Sequence, residues 1–153
     1  NNFLQTENQE GKAMIQIISG EKGQGKTKFL LDQVNSAIQT VKGNIVYLDK
    51  NTKHMYELNN KIRLISVPSY PVTNCDEFLG FISGILSQDS DIQEAYLDSF
   101  LTLADISQPE EIQYAIEKLT LLSEKFQVKF VLSVSKKEMD LPEDVRKYIT
   151  ISL

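Results

Sequence analysis

The sequence predicts a single α/β domain, with a doubly wound, mostly parallel sheet carrying helices on both faces. Three observations predict it. Short apolar, β-branched runs alternate with stretches of helical periodicity from residue 14 onwards, and strand–helix alternation at this spacing calls for parallel strands joined by crossovers. The first apolar run passes directly into a glycine-rich turn and then a helical pattern, over residues 14–41. Several strand candidates end on a polar residue, Asp49, Asp98 and Ser135, and a parallel sheet gathers such residues along the edge where ligands bind.

Each element has its own signal. Residues 1–13 are polar and aperiodic, and are expected to be a disordered tail or an expression leftover, with 14–153 forming the domain. Met14, Ile15, Ile17 and Ile18 make the first strand. Phe29, Leu30, Val34, Ala37, Ile38 and Val41 recur at helical spacing over 26–41, with Gly43 as a stop signal. NIVYLD (44–49) is the second strand, and a short helix over about 52–59 follows. KIRLISV (61–67) is the third strand, ended by Pro68 and Pro71. Asn74 to Glu77 has capping-box spacing, ahead of a helix burying Phe78, Leu79, Ile82, Ile85 and Leu86. The fourth strand is expected near 93–98. Ser107 to Glu110 reads as a second capping box, for a helix reaching about 126. VKFVLSVS (128–135) is a central strand and YITISL (148–153) a closing edge strand.

Composition removes whole classes of function. The net charge is −5 and the only arginines are Arg63 and Arg146, which argues against a broad electrostatic grip on nucleic acid. No apolar run approaches a membrane span and no signal peptide is visible, so a cytoplasmic location is expected. Cys75 is the only cysteine and His54 the only histidine. An internal disulfide, a Cys/His metal site and a Ser-His-Asp triad are therefore excluded or unsupported. His54 is expected on an exposed helix face, and the tyrosines lack the clustering of a base-stacking platform.

The chemistry-bearing stretch is Gly20-Glu21-Lys22-Gly23-Gln24-Gly25-Lys26-Thr27, which fits G-x-x-x-x-G-K-[ST] at every fixed position. A polyphosphate must be held by many backbone N–H groups at close range, and only glycines let the chain wrap that tightly. The helix start adds unpaired N–H groups and the positive end of a dipole. Residues 20–28, Gly20 through Lys28, are thus the candidate nucleotide-binding set. Within it, Lys26 would reach the β- and γ-phosphates and Thr27 would ligate Mg²⁺. A second carboxylate at a nearby strand end should support the metal. Asp98 is the first candidate and Asp49 the second. The expected cofactors are ATP and Mg²⁺, ATP by default because Asn51-Thr52-Lys53-His54 lacks the Asp of a guanine-reading motif.

On these residues the chain resembles the RecA-like branch of P-loop ATPases over about residues 14–135. The resemblance rests on GEKGQGKT, LDKN after the second strand, AYLDS at the Walker-B position, and a polar residue closing VLSVS. It is also similar to small stand-alone bacterial P-loop proteins of undefined role. The resemblance implies Lys26 and Thr27 on phosphate and Mg²⁺, with Asp98 supporting the metal. Asn51 stands where such proteins place a water-activating Glu, and Ser135 where they place a Gln or Asn facing the γ-phosphate. It further implies that a cation can come from a neighbouring subunit, for which Lys136 and Lys137 are the candidates. Weak or partner-dependent ATP hydrolysis is the first expectation, with a homo-oligomer or protein partner completing the site. A non-catalytic nucleotide switch and a small-molecule kinase are the alternatives, and the scarcity of arginine weighs against a kinase lid.

Overall fold

The computed structural model describes residues 13–153. The expected tail therefore lies, apart from Ala13, outside the described residues. The elements run β1 (Met14–Ser19), α1 (Lys26–Ala37), β2 (Asn44–Asp49), β3 (Arg63–Ser66), α2 (Cys75–Gln88), β4 (Ile92–Leu97), α3 (Phe100–Ala104), α4 (Pro109–Phe126), β5 (Lys129–Val134), α5 (Glu143–Arg146) and β6 (Ile149–Ser152). The six strands form one sheet in the order β3-β2-β4-β5-β1-β6. Every strand pair is parallel, so all six carboxyl ends share one edge. β5 is central and β6 closes an edge, as their sequences imply.

Alternation along the strands feeds two cores. Ile18, Ile45, Tyr47, Tyr96 and Val131 pack with Leu30, Leu31 and Val34 of α1. Ile17, Val46, Leu97, Phe130 and Leu132, from the opposite face, pack with α2, α3 and α4 through Phe78, Ile82, Phe100, Ile112 and Leu119. One helix thus covers one face and most of the helical mass covers the other.

The differences from expectation have local causes. α1 stops at Ala37, and the next turn persists only irregularly, with the Thr40 hydroxyl donating to the Ala37 carbonyl at 3.4 Å. Phe29 is 41% exposed and Leu31 takes its place in the core. Gly43 lies where the chain must pass close to a neighbour, because a Cβ there would run into the Asp91 carbonyl. The helix expected over 52–59 is a single 3-10 turn, Met55–Glu57. Side chains satisfy its backbone instead: Lys53 N–H donates to Asn51 Oδ1 at 2.9 Å, while Asn35 of α1 donates to the Glu57 carbonyl and accepts from Asn59 N–H, both at 2.8 Å. The second capping box moves on by one residue. Pro109 occupies the first helical position, so the cap is Gln108, whose N–H donates to Glu111 Oε1 at 3.0 Å. β4 ends at Leu97, one residue early, and α3 follows unannounced. It is bounded by Ser99 and Asp105, both at positive φ (62° and 53°). Among the described residues no helix is long and apolar enough to cross a membrane.

Candidate functional site

A polar cleft of about 490 Å³ opens at the carboxyl edge of the sheet. Lys22, Gly23, Gly25, Lys26 and Thr27 line it above β1, and Ser133 and Ser135 above β5. Asp98, Ser99 and Thr102 line it above β4, and Lys50, Lys53 and His54 above β2. Two larger cavities, about 650 and 720 Å³, lie beside Cys75 and Tyr114 and along β3. Neither gathers cations, a carboxylate and a glycine loop at the strand ends, so the smaller cleft is the candidate site.

The loop from Gly20 to Thr27 is built for close approach. Gly20 donates its N–H to the carbonyls of Val134 and Lys136, at 3.3 and 2.9 Å. A Cβ at Gly20 would come within 2.9 Å of Leu153 Cβ. Gly23 and Gly25 sit at φ +88° and +89° with open space where a Cβ would be, the left-handed region that favours glycine. Gly25 caps α1 without a side chain, which leaves the first N–H groups of the helix facing the cleft. Lys26 is only 7% exposed and its Nζ donates to the Glu21 carbonyl at 2.9 Å, folding the amine back across its own loop. Burial lowers its pKa; the Asp98 charge opposes this and the Lys50 charge adds to it.

Asp98 is the hub. It is 2% exposed and accepts three hydroxyl hydrogen bonds. Thr27 Oγ1 donates to Oδ1 at 3.2 Å, Ser133 Oγ donates to Oδ1 at 2.9 Å, and Tyr47 donates to Oδ2 at 2.7 Å. Ser99 N–H in turn donates to Ser133 Oγ at 2.7 Å, which holds Ser99 in its left-handed conformation beside the carboxylate. Burial, then Asp98, pushes the Tyr47 hydroxyl pKa far above its ordinary 10.0, so Tyr47 remains a donor through the neutral range.

The remaining expected residues are placed as follows. Asp49 lies under the cleft rather than in its wall, 2% exposed. Its Oδ1 accepts the Lys50 N–H at 2.7 Å, and its Oδ2 is buried without a partner. Burial, then Asp98, raises its pKa, while the Lys50 N–H, His54 and the Lys50 charge pull it down. Glu21 turns its side chain outward to Lys137 at 3.4 Å, and Gln24 is exposed. Lys28 pairs with Asp32 at 3.3 Å along α1 and lines a neighbouring groove instead of the cleft. Lys136 is half-buried, and Lys137 is engaged with Glu21 of its own chain. His54 corrects its expectation. It is half-buried at the cleft wall, its Nδ1 3.4 Å from Glu57 Oε2, and not on an exposed helix face.

Tyr47, Ser133, Lys50 and Lys53 were not singled out by sequence. The strand register would have found two of them. Leu97 pairs with Leu132 and Tyr47 with Tyr96, which sets Ser133 level with Asp98 and Tyr47 one diagonal away on the same face. No protein-family model matches the chain, and no curated protein matches it either.

Proposed function

We propose that the chain is a RecA-like P-loop domain that binds ATP with Mg²⁺, and that by itself it hydrolyses ATP slowly at most. One observation carries the reading: the Thr27 hydroxyl, at the end of the glycine loop, donates to the Asp98 carboxylate from 71 residues away, at 3.2 Å. A loop that can cradle phosphate oxygens and a strand-end carboxylate are thus brought together at the start of α1.

The residues fit the groups this reading requires. The cleft wall holds four lysines against a single carboxylate, which suits a polyanion. Thr27 and Asp98 would hold the metal, Thr27 directly and Asp98 through water. Bound there, Mg²⁺ would neutralise charge on the β- and γ-oxygens. Lys26 would leave the Glu21 carbonyl for phosphate, exchanging a neutral acceptor for a charged one. Loop N–H groups and the start of α1 would orient the chain of phosphates.

Hydrolysis joins water to the γ-phosphorus and breaks its bond to the β-phosphate oxygen, and it needs the water oriented. The side chain nearest that role by sequence, Asn51, is exposed and spends its oxygen on the Lys53 N–H. That observation favours a domain that retains ATP, and it keeps the nucleotide-switch reading in view. The test is calorimetry with ATP and Mg²⁺, with steady-state turnover measured alongside. The wild type should bind, Lys26→Ala should fold and lose most of its affinity, and turnover should stay well below about one per second, against about 10 for typical enzymes. Equal ATP affinity in wild type and Lys26→Ala would overturn the assignment. Fast turnover, constant per molecule down to nanomolar protein, would overturn the slow-hydrolysis part alone.

A further inference from the structure

We propose that Lys50 and Lys53, on the segment following β2, form the wall that reads the terminal phosphate, so that the same chain distinguishes a nucleoside triphosphate from a diphosphate. The inference rests on the reading above and deepens it.

The geometry starts from the strand order. The glycine loop stands over β1 and the 50–54 segment over β2, with β5 and β4 between them. The cleft spans all four strand ends. A phosphate chain anchored at Lys26 and Thr27 and running across Ser133 and Asp98 would therefore point its far end at the β2 side. Lys50 and Lys53 line the cleft there, and the Lys50 charge already acts on Lys26 across it. Among the described residues, neither amine has a carboxylate within 4.0 Å. Like charges set around one cleft without partners repel until an anion enters.

The segment is also held firmly enough to act as a wall. Asp49 takes the Lys50 N–H, Asn51 the Lys53 N–H, and Asn35 of α1 clasps Glu57 and Asn59. Leu58 anchors it in the core beneath α1. The backbone is fixed while Lys50 and Lys53 remain exposed. This arrangement supplies in cis the cation that the resemblance sought across a subunit boundary.

The test is calorimetric titration of the full chain with ATP and ADP, each with Mg²⁺, comparing wild type with K50A/K53A. A second pair, K118A/K125A, removes the same charge from α4, far from the cleft. We expect K50A/K53A to lose at least about tenfold in ATP affinity, the scale of one charge-assisted contact, with ADP changing less than about threefold. K50R/K53R should keep the preference for ATP, because arginine retains the charge, and K118A/K125A should behave as wild type. Equal losses for ATP and ADP, or no loss for either, would overturn the inference while leaving nucleotide binding intact. A wild type that binds neither nucleotide would overturn the proposed function together with it.

Discussion

Tyr47→Phe removes one hydroxyl from a fully buried position and leaves the ring stacked on Tyr96, centroids 6.1 Å apart. That hydroxyl is the only donor to Asp98 Oδ2 among the described residues, since Thr27 and Ser133 both donate to Oδ1. At 2% exposure, Asp98 has little access to water as a substitute. A hydrogen bond to a charged group contributes roughly 1.5–3 kcal/mol. For a chain of this length, about 1 kcal/mol moves Tm by 2–4 °C, so Tyr47→Phe should lower Tm by about 3–12 °C. A double-mutant cycle with Asp98→Ala, followed by urea unfolding, isolates the pair from the ring packing. The expected coupling is about 1.5–3 kcal/mol. A coupling below about 0.5 kcal/mol would mean that the Oδ2–hydroxyl contact contributes nothing, and the account of Asp98 as a held carboxylate would fall with it.

Two further outcomes follow from the same packing and charge. Burial raises the Asp49 pKa from its ordinary 3.8, so the folded chain favours the protonated acid and loses stability as pH rises from that value through the folded pKa. Asp49→Asn cannot ionise, so its stability relative to wild type should climb as pH rises from about 3.8 through the folded pKa and then level off; a pH-independent difference in urea unfolding would refute this. Gly43→Ala should destabilise by about 1–3 kcal/mol, since its Cβ meets the Asp91 backbone. Gly80→Ala, exposed on α2 with nothing nearby, should stabilise by about 0.4–1 kcal/mol, and chemical unfolding reads both.

The legible parts of the chain are those where one residue type has one physical reason. The α/β alternation, the parallel sheet and the central place of β5 follow from apolar runs that only a doubly covered strand can bury. The glycine loop was legible because Gly23 and Gly25 take a backbone conformation that other residues resist. Asp98 was legible as a carboxylate directly after an apolar strand. Tyr47 and Ser133 were not, because inside NIVYLD and VKFVLSVS a tyrosine reads as a strand former and a serine as a gap in an apolar run. Their role appears only when register brings three strands side by side. The 52–59 segment misled for a related reason: its spacing permits a helix, but Asn35 and Asn51 satisfy its backbone by side-chain bonds that no local pattern announces.

That same segment shapes the chemistry of the proposed site. A triphosphate site needs cations to hold its charge and a base to direct water, and the two requirements fall on the same few residues after β2. Here those residues are Lys50, Asn51 and Lys53. Two of them supply charge, and the third uses its side-chain oxygen to fix the backbone that carries them. Asp49, the one carboxylate on that strand end, is buried beneath the floor with one oxygen bound to Lys50 N–H. It faces no open space in which a water and a phosphate could meet. On the proposed reading, then, tight retention and slow turnover have one cause. Lys50 and Lys53 bind phosphate and cannot take a proton from water, and His54, the one neighbouring side chain in the cleft wall that could, turns its Nδ1 to within 3.4 Å of Glu57 Oε2.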